Sequence, residues 1–243
     1  MKSLSSPSLL TLWCLIGSLA FGCGGGDAPA RSADDAETDG SGSRGPGEQM
    51  SASAEIGALD EAAVDRTFRK SLSGLERCLH AGARRVEFIG GKVSFYIEVD
   101  ASGSLRHAHL EESTLGDRDT EKCMLGVLGN KRWPKPVGGD MGYARNSFDF
   151  DPPNDVRPPT DWESERLSEV LEKLAPELDE CKQGASGRFK ATLYVATDGA
   201  PLSVGITPPD ASGDAALDCL AQALKNATYP SPGSWPAKVS FEL

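Results

Sequence analysis

Three stretches bring chemically capable side chains together. His107-Ala108-His109 with Glu111 puts three possible metal ligands on alternate positions, and alternate residues of a strand share a face. Surface zinc is one reading. A solvated strand face opposite Ala108 and Leu110 accounts for the pattern better. Gly90-Gly91-Lys92-Val93 has the glycines and lysine of a phosphate loop, yet no Ser or Thr follows the lysine. It also leads into an alternating apolar run, where a phosphate loop must open a helix. Cys78 with His80 could be a thiolate and its base, but the cysteine is better used in a disulfide, as argued below. No Ser-His-acid set and no carboxylate pair in a recognisable context is present. The expectation is therefore no catalytic residue, no metal and no cofactor. An enzyme, if there were one, would be a hydrolase of envelope polymers built on His80 or on His107 and His109.

A fourth stretch is chemical only on first sight. Residues 123–136, CMLGVLGNKRWPKP, could offer Trp133-Pro134-Lys135-Pro136 to an aromatic-lined groove. Residues 219–232, CLAQALKNATYPSP, repeat the Cys, the Asn, the aromatic and both prolines at the same spacing. Recurrence favours a structural role for Trp133, Pro134 and Pro136, and for Tyr229, Pro230 and Pro232. The aromatic plugs the core where a helix ends, and the prolines stop that helix and extend the chain.

The likeness extends far upstream. Gly91 and Gly103 precede Cys123 by the intervals at which Gly187 and Gly199 precede Cys219. Leu75-x-x-Cys78 matches Leu178-x-x-Cys181, and Ser147-Phe148-Asp149-Phe150 matches Ser240-Phe241-Glu242-Leu243. So many shared offsets imply a tandem duplication.

Each copy then reads as the same elements. Val64, Phe68, Leu72, Leu75 and Leu79 recur at helical spacing up to Gly82, and Leu167, Leu171, Leu174, Leu178 and Cys181 do so in the second copy, where Pro176 should kink or split the helix. Val93, Phe95, Ile97 and Val99 alternate, a turn at Asp100–Gly103 leads to a strand near Leu105–Glu112, and Phe189–Val195 with Thr197-Asp198-Gly199 repeats the hairpin. A second helix carries Cys123 or Cys219, and a last strand follows the prolines. The expected fold class is α+β: two tandem α-β-β-α-β domains, each with two helices on one face of a three-stranded sheet. Both cysteines of a copy should lie on the buried faces of its helices, so Cys78–Cys123 and Cys181–Cys219 are the expected pairs.

The 243 residues also include parts that do not read as globular. Residues 1–22 have the short apolar core of a signal peptide. Leu19-Ala20-Phe21-Gly22-Cys23 resembles a bacterial lipobox, making Cys23 the lipidation site and the lipid bilayer a partner, with sorting to the outer membrane on its periplasmic side. Residues 23–58 are Gly, Ala, Ser and acid without aromatics, an expected disordered tether. Residues 59–151 and 160–243 are the expected domains, joined by a linker at 152–159. A net charge of −11 argues against nucleic acid as a partner.

Residues 60–150 resemble the C-terminal domain of the AgmX/PglI gliding-motility type, itself similar to the TonB C-terminal domain. The likeness rests on Cys78, Gly91-Lys92-Val93, Gly103, Glu112-Ser113-Thr114-Leu115-Gly116, Cys123, Arg132-Trp133-Pro134-Lys135-Pro136 and Phe148-x-Phe150. Tyr229-Pro230 and Phe241-Glu242-Leu243 carry a fainter match in the second copy. The resemblance implies an envelope binding domain that can pair an edge strand with a partner's extended segment. Candidate edges are Tyr143–Phe150 and Lys238–Leu243. TonB-type transducers have an N-terminal membrane helix where this chain has a lipobox, which argues against energy transduction. The expected function is a non-catalytic binding or scaffold lipoprotein of the envelope, its partner an envelope protein or peptidoglycan. The alternative is an accessory component of a gliding-motility or TonB-like transport complex.

Overall fold

A computed structural model describes residues 57–243. In chain order these form α1 (Glu61–Gly82), β1 (Gly91–Asp100), β2 (Leu105–Ser113), α2 (Arg118–Gly129), β3 (Met141–Phe150), β4 (Thr160–Asp161), α3 (Ser168–Lys182), β5 (Lys190–Val195), β6 (Pro201–Thr207), α4 (Leu217–Asn226) and β7 (Ala237–Glu242). Short 3-10 turns precede α3 and α4. The described residues are thus mixed α+β, with four α-helices and two sheets ordered β2-β1-β3 and β4-β7-β5-β6. No described helix is long and apolar enough to cross a membrane.

Local sequence accounts for most elements. The Asp60 carboxylate accepts the Ala63 amide at 2.6 Å, which starts α1 by capping a donor with no helical partner. Phe68, Leu75 and Leu79 of α1 bury their stripe with Met124 and Leu128 of α2 and with Val93, Phe95, Ile97 and Val99 of β1. The second half repeats this with Leu178, Leu220 and Leu224 against Ala191, Leu193 and Val195. Both hairpin turns need glycine for the same two reasons. Gly103 and Gly199 have φ of +78° and +86°, and an added Cβ would lie 2.4 and 2.1 Å from the carbonyl oxygens of Trp133 and Tyr229. Those aromatics donate their own amides back to Gly103 O at 3.0 Å and Gly199 O at 2.9 Å. Trp133 Nε1–H then donates to Leu128 O at 3.3 Å, and Tyr229 Oη–H to Leu224 O at 2.8 Å. Each ring closes the core beneath a helix end; Tyr229 supplies a donor to the Leu224 carbonyl, while the Leu128 carbonyl also accepts the Lys131 amide at 3.1 Å.

The disulfides Cys78–Cys123 and Cys181–Cys219 are present as expected, with Cα separations of 5.7 and 5.4 Å. Three expectations need correction. Only Cys78 and Cys181 are buried; Cys123 and Cys219 are exposed, because the faces of α2 and α4 that meet the core are centred on Met124/Leu128 and Leu220/Leu224. Pro176 does not split its helix, since α3 runs through it from Ser168 to Lys182. The second sheet has four strands rather than three. Thr160 and Asp161 add parallel to β7, with Thr160 N–H donating to Pro236 O at 2.9 Å and Trp162 N–H to Lys238 O at 2.8 Å. The Trp162 ring, 8% exposed in the second core, holds this segment down.

Candidate binding groove along β3

β3 is an edge strand. Its residues pair with β1 from Gly91↔Phe150 to Asp100↔Met141, and no described strand pairs with its other side. In this register Gly142, Ala144, Asn146, Phe148 and Phe150 share a face with the inward residues of β1, while Tyr143, Arg145, Ser147 and Asp149 point away from the core. The chain entering α1 fixes one end of this edge. Gly57 N–H donates to Val137 O and Val137 N–H to Ala58 O, both at 3.0 Å, and a Cβ on Gly142 would lie 2.4 Å from Leu59.

From there α1 runs beside β3. A cavity of about 380 Å³ lies between Leu59, Glu61, Val64 and Asp65 on one side and Tyr143 to Asn146 on the other. A second, of about 440 Å³, lies between Leu72, Glu76, Leu79 and His80 and residues Phe148 to Asp151. From Glu61 to Glu76 the helix advances about 22 Å at 1.5 Å per residue. From Tyr143 to Asp149 the strand advances about 20 Å at 3.3 Å per residue. The two elements keep pace, so both cavities lie along the α1–β3 side, one near each end of β3. Leu72 stands exposed along it, whereas the Tyr143 ring, 51% exposed, lies on the outer sheet face 5.9 Å from that of Tyr96. Arg145 points to the outer sheet face, where Glu111 Oε1 accepts its Nε–H at 2.8 Å and its guanidinium lies over the Tyr96 ring.

A different kind of surface joins the two halves. β5 is buried on both faces, with Ala191, Leu193 and Val195 in the second core, and Tyr194, fully buried, in the first. The Tyr194 ring lies 5.4 Å from that of Phe88, and Lys238 Nζ sits over it while donating to Gly90 O at 2.8 Å. Gly116 must be glycine: its φ is +69° and a Cβ would meet the Tyr194 ring at 2.8 Å. Ser203 Oγ–H donates to Gly116 O at 2.7 Å. Beside it, the Glu121 carboxyl takes the Ser113 hydroxyl proton on one oxygen at 2.7 Å and the Ile206 amide on the other at 3.2 Å. Complete burial outweighs both hydrogen bonds and the nearby Arg118 and pushes this carboxyl up to about 7. Arg118 and Lys122 reach across to Asp218 at 3.0 and 2.6 Å.

The residues singled out from sequence fall in several places. His107 Nε2 lies 3.2 Å from His109 Nδ1 and 3.5 Å from Asp214 Oδ2 of the second half. Glu111 turns to Arg145 instead, and no group of three His, Cys, Asp or Glu among the described residues could hold a metal ion. Burial, then the neighbouring His107, pull the His109 imidazole down. Gly91 opens a strand, and Lys92 pairs with Glu112 at 2.8 Å. Cys78 is bonded to Cys123, which removes the thiolate a Cys-His nucleophile needs, and His80 lies in the β3 groove. Of the two candidate edges, Tyr143–Phe150 is open, whereas β7 is covered at Ala237 and Lys238 by β4. Cys23 lies outside the described residues.

Tyr194 and Glu121 are absent from the sequence reading. Glu121 left one trace, an acid three and seven positions before Met124 and Leu128 on the apolar stripe of α2. Comparison with known proteins finds no matching family model and no significant match to a curated protein or a solved structure.

Proposed function

We propose that this protein is a non-catalytic binding or scaffold lipoprotein of the bacterial envelope. It is anchored through lipid on Cys23 and takes up an extended segment of an envelope partner along β3. The observation that carries this reading is the ten-residue edge of β3, unpaired on one side and flanked by a groove against α1. Strand addition satisfies that row of backbone donors and acceptors, and the groove supplies pockets for alternate side chains. The α-β-β-α-β order, found twice, and the position of Phe148 and Phe150 on β3 favour the AgmX/PglI and TonB-like resemblance. A role as accessory component of a gliding-motility or transport complex is the version of this reading that the resemblance favours.

Two experiments test it. Metabolic labelling with a clickable fatty acid should tag the wild type and not Cys23→Ala, which should leave the membrane fraction; equal labelling removes the anchor. A photo-crosslinking residue at Ser147, on the open edge, should capture an envelope partner in cells, whereas one at Ser240 on β7 should capture far less. Equal capture at both, or none at Ser147, removes the β3 site.

A further inference from the structure

The carboxylates along the groove say what kind of segment β3 should take. Glu61, Asp65, Leu72 and Glu76 are spaced by near-whole turns, so they form one stripe of α1 facing β3. Asp151 closes the far end, while Asp149 turns to the outer face beside Lys92. Between these acids the groove is floored by apolar side chains, Val64 and Leu72 from α1 and Phe148 from β3. Glu61, Glu76 and Asp151 have no salt-bridge partner among the described residues, and Asp65 has only the exposed Arg69 one turn along. The cations near the groove are Arg69, paired with Asp65, Lys92, paired with Glu112, Arg145, held by Glu111 on the outer face, and His80 at the far end.

From this arrangement we propose that the segment taken up by β3 carries Lys or Arg at the alternate positions that face α1. The proposal rests on the reading of β3 as a strand acceptor and adds its partner's chemistry. A strand added beside β3 directs every second side chain over Ala144, Asn146 and Phe148 toward the helix stripe. A long basic side chain fits that path. Its methylene stem lies on Val64, Leu72 or Phe148 while its charged head reaches the carboxylate rim. An acidic segment meets like charge along the whole path. That excludes this chain's own residues 24–58, in which acids outnumber arginines. It also disfavours β3 pairing with β3 of a second copy, whose α1-facing side chains Ala144, Asn146 and Phe148 include no base.

The test is a fluorescence-anisotropy titration of the full chain with peptides of 10 residues, the length of β3. The probes alternate Lys with Val, Ser with Val, or Glu with Val, and the Lys peptide is also made with backbone N-methyl groups on its odd or its even residues. The Lys peptide should bind about tenfold tighter than the Ser peptide at low salt, with the gap closing as salt rises. The Glu peptide should bind weakest. Glu61→Gln/Asp65→Asn/Glu76→Gln should bring the Lys peptide to the level of the Ser peptide while leaving the Ser peptide unchanged. One N-methylated form should lose binding and the other keep it, because only one edge of the peptide meets β3. Equal affinity for the Lys and Ser peptides overturns the basic specificity and leaves strand addition standing. Binding that survives N-methylation of either edge overturns strand addition itself. No binding by any peptide, or a dimer in sedimentation that the Lys peptide does not dissociate, overturns both.

Discussion

β1 and β5 hold the same place in the two halves, yet their outward faces meet different surroundings. On β1 that face carries Tyr96 and Glu98, both partly exposed. On β5 it carries Thr192 and Tyr194, 2% and 0% exposed, pressed against the first half. The closing strands differ in the opposite sense. β3 leaves one edge free, while β7 is covered at its start by β4. One half thus spends its sheet face on holding the molecule together and has its closing edge partly covered; the other keeps its closing edge open beside a groove. A shared topology fixes where faces and edges lie, and a few side chains decide which of them are covered by the other half and which remain open.

Truncating the side chains that join the halves should have the largest effect. Tyr194→Ala removes a fully buried ring from the first core and should cost about 3–5 kcal/mol in denaturant unfolding. Tyr96→Ala on β1 should stay within about 1 kcal/mol. Similar losses at the two sites would erase the distinction between the strands. What the halves have in common should respond alike. Replacing either cysteine pair by serine releases a sequence separation of 45 or 38 residues, and each should cost roughly 4 kcal/mol by chain entropy. A large inequality between the pairs would show that the halves do not share one scaffold.

The third effect belongs to the seam alone. Glu121 keeps its proton to a higher pH when folded than when unfolded, so its contribution is complete below its ordinary value of 4.5 and falls as pH rises toward about 7. The loss across that window should be roughly 3 kcal/mol. Glu121→Gln, which can still accept the Ile206 amide and meet Ser113, should flatten the pH profile of stability between those limits. A profile unchanged by the substitution would remove Glu121 as its source. The smallest effect tests a shared detail: Tyr229→Phe leaves the Leu224 carbonyl without its hydroxyl donor and should cost about 1 kcal/mol.

How much of this was legible in sequence follows the same division. Helix stripes, hairpin turns and cysteine pairs were readable because each is written in local spacing, and twice. Gly103 and Gly199 were readable as turn residues, though not as the points where Trp133 and Tyr229 press against the backbone. β4 was not readable: two residues carry no alternation, and its pairing comes from Trp162 and the distant β7. Thr192 and Tyr194 look like the polar side of a half-exposed strand, and only the docking of the halves buries them. The groove shared this obscurity. Glu61, Asp65 and Glu76 read as an ordinary solvated helix face until β3 was placed beside them, since the relation joins elements distant in the chain.

The asymmetry of the two closing edges is tested most directly by hydrogen exchange of the full chain with and without the alternating Lys and Val peptide. Binding at β3 should slow exchange of backbone amides between Met141 and Phe150 and leave those between Ala237 and Glu242 unchanged, with one peptide bound per chain. Protection at β7, or two peptides per chain, would contradict it.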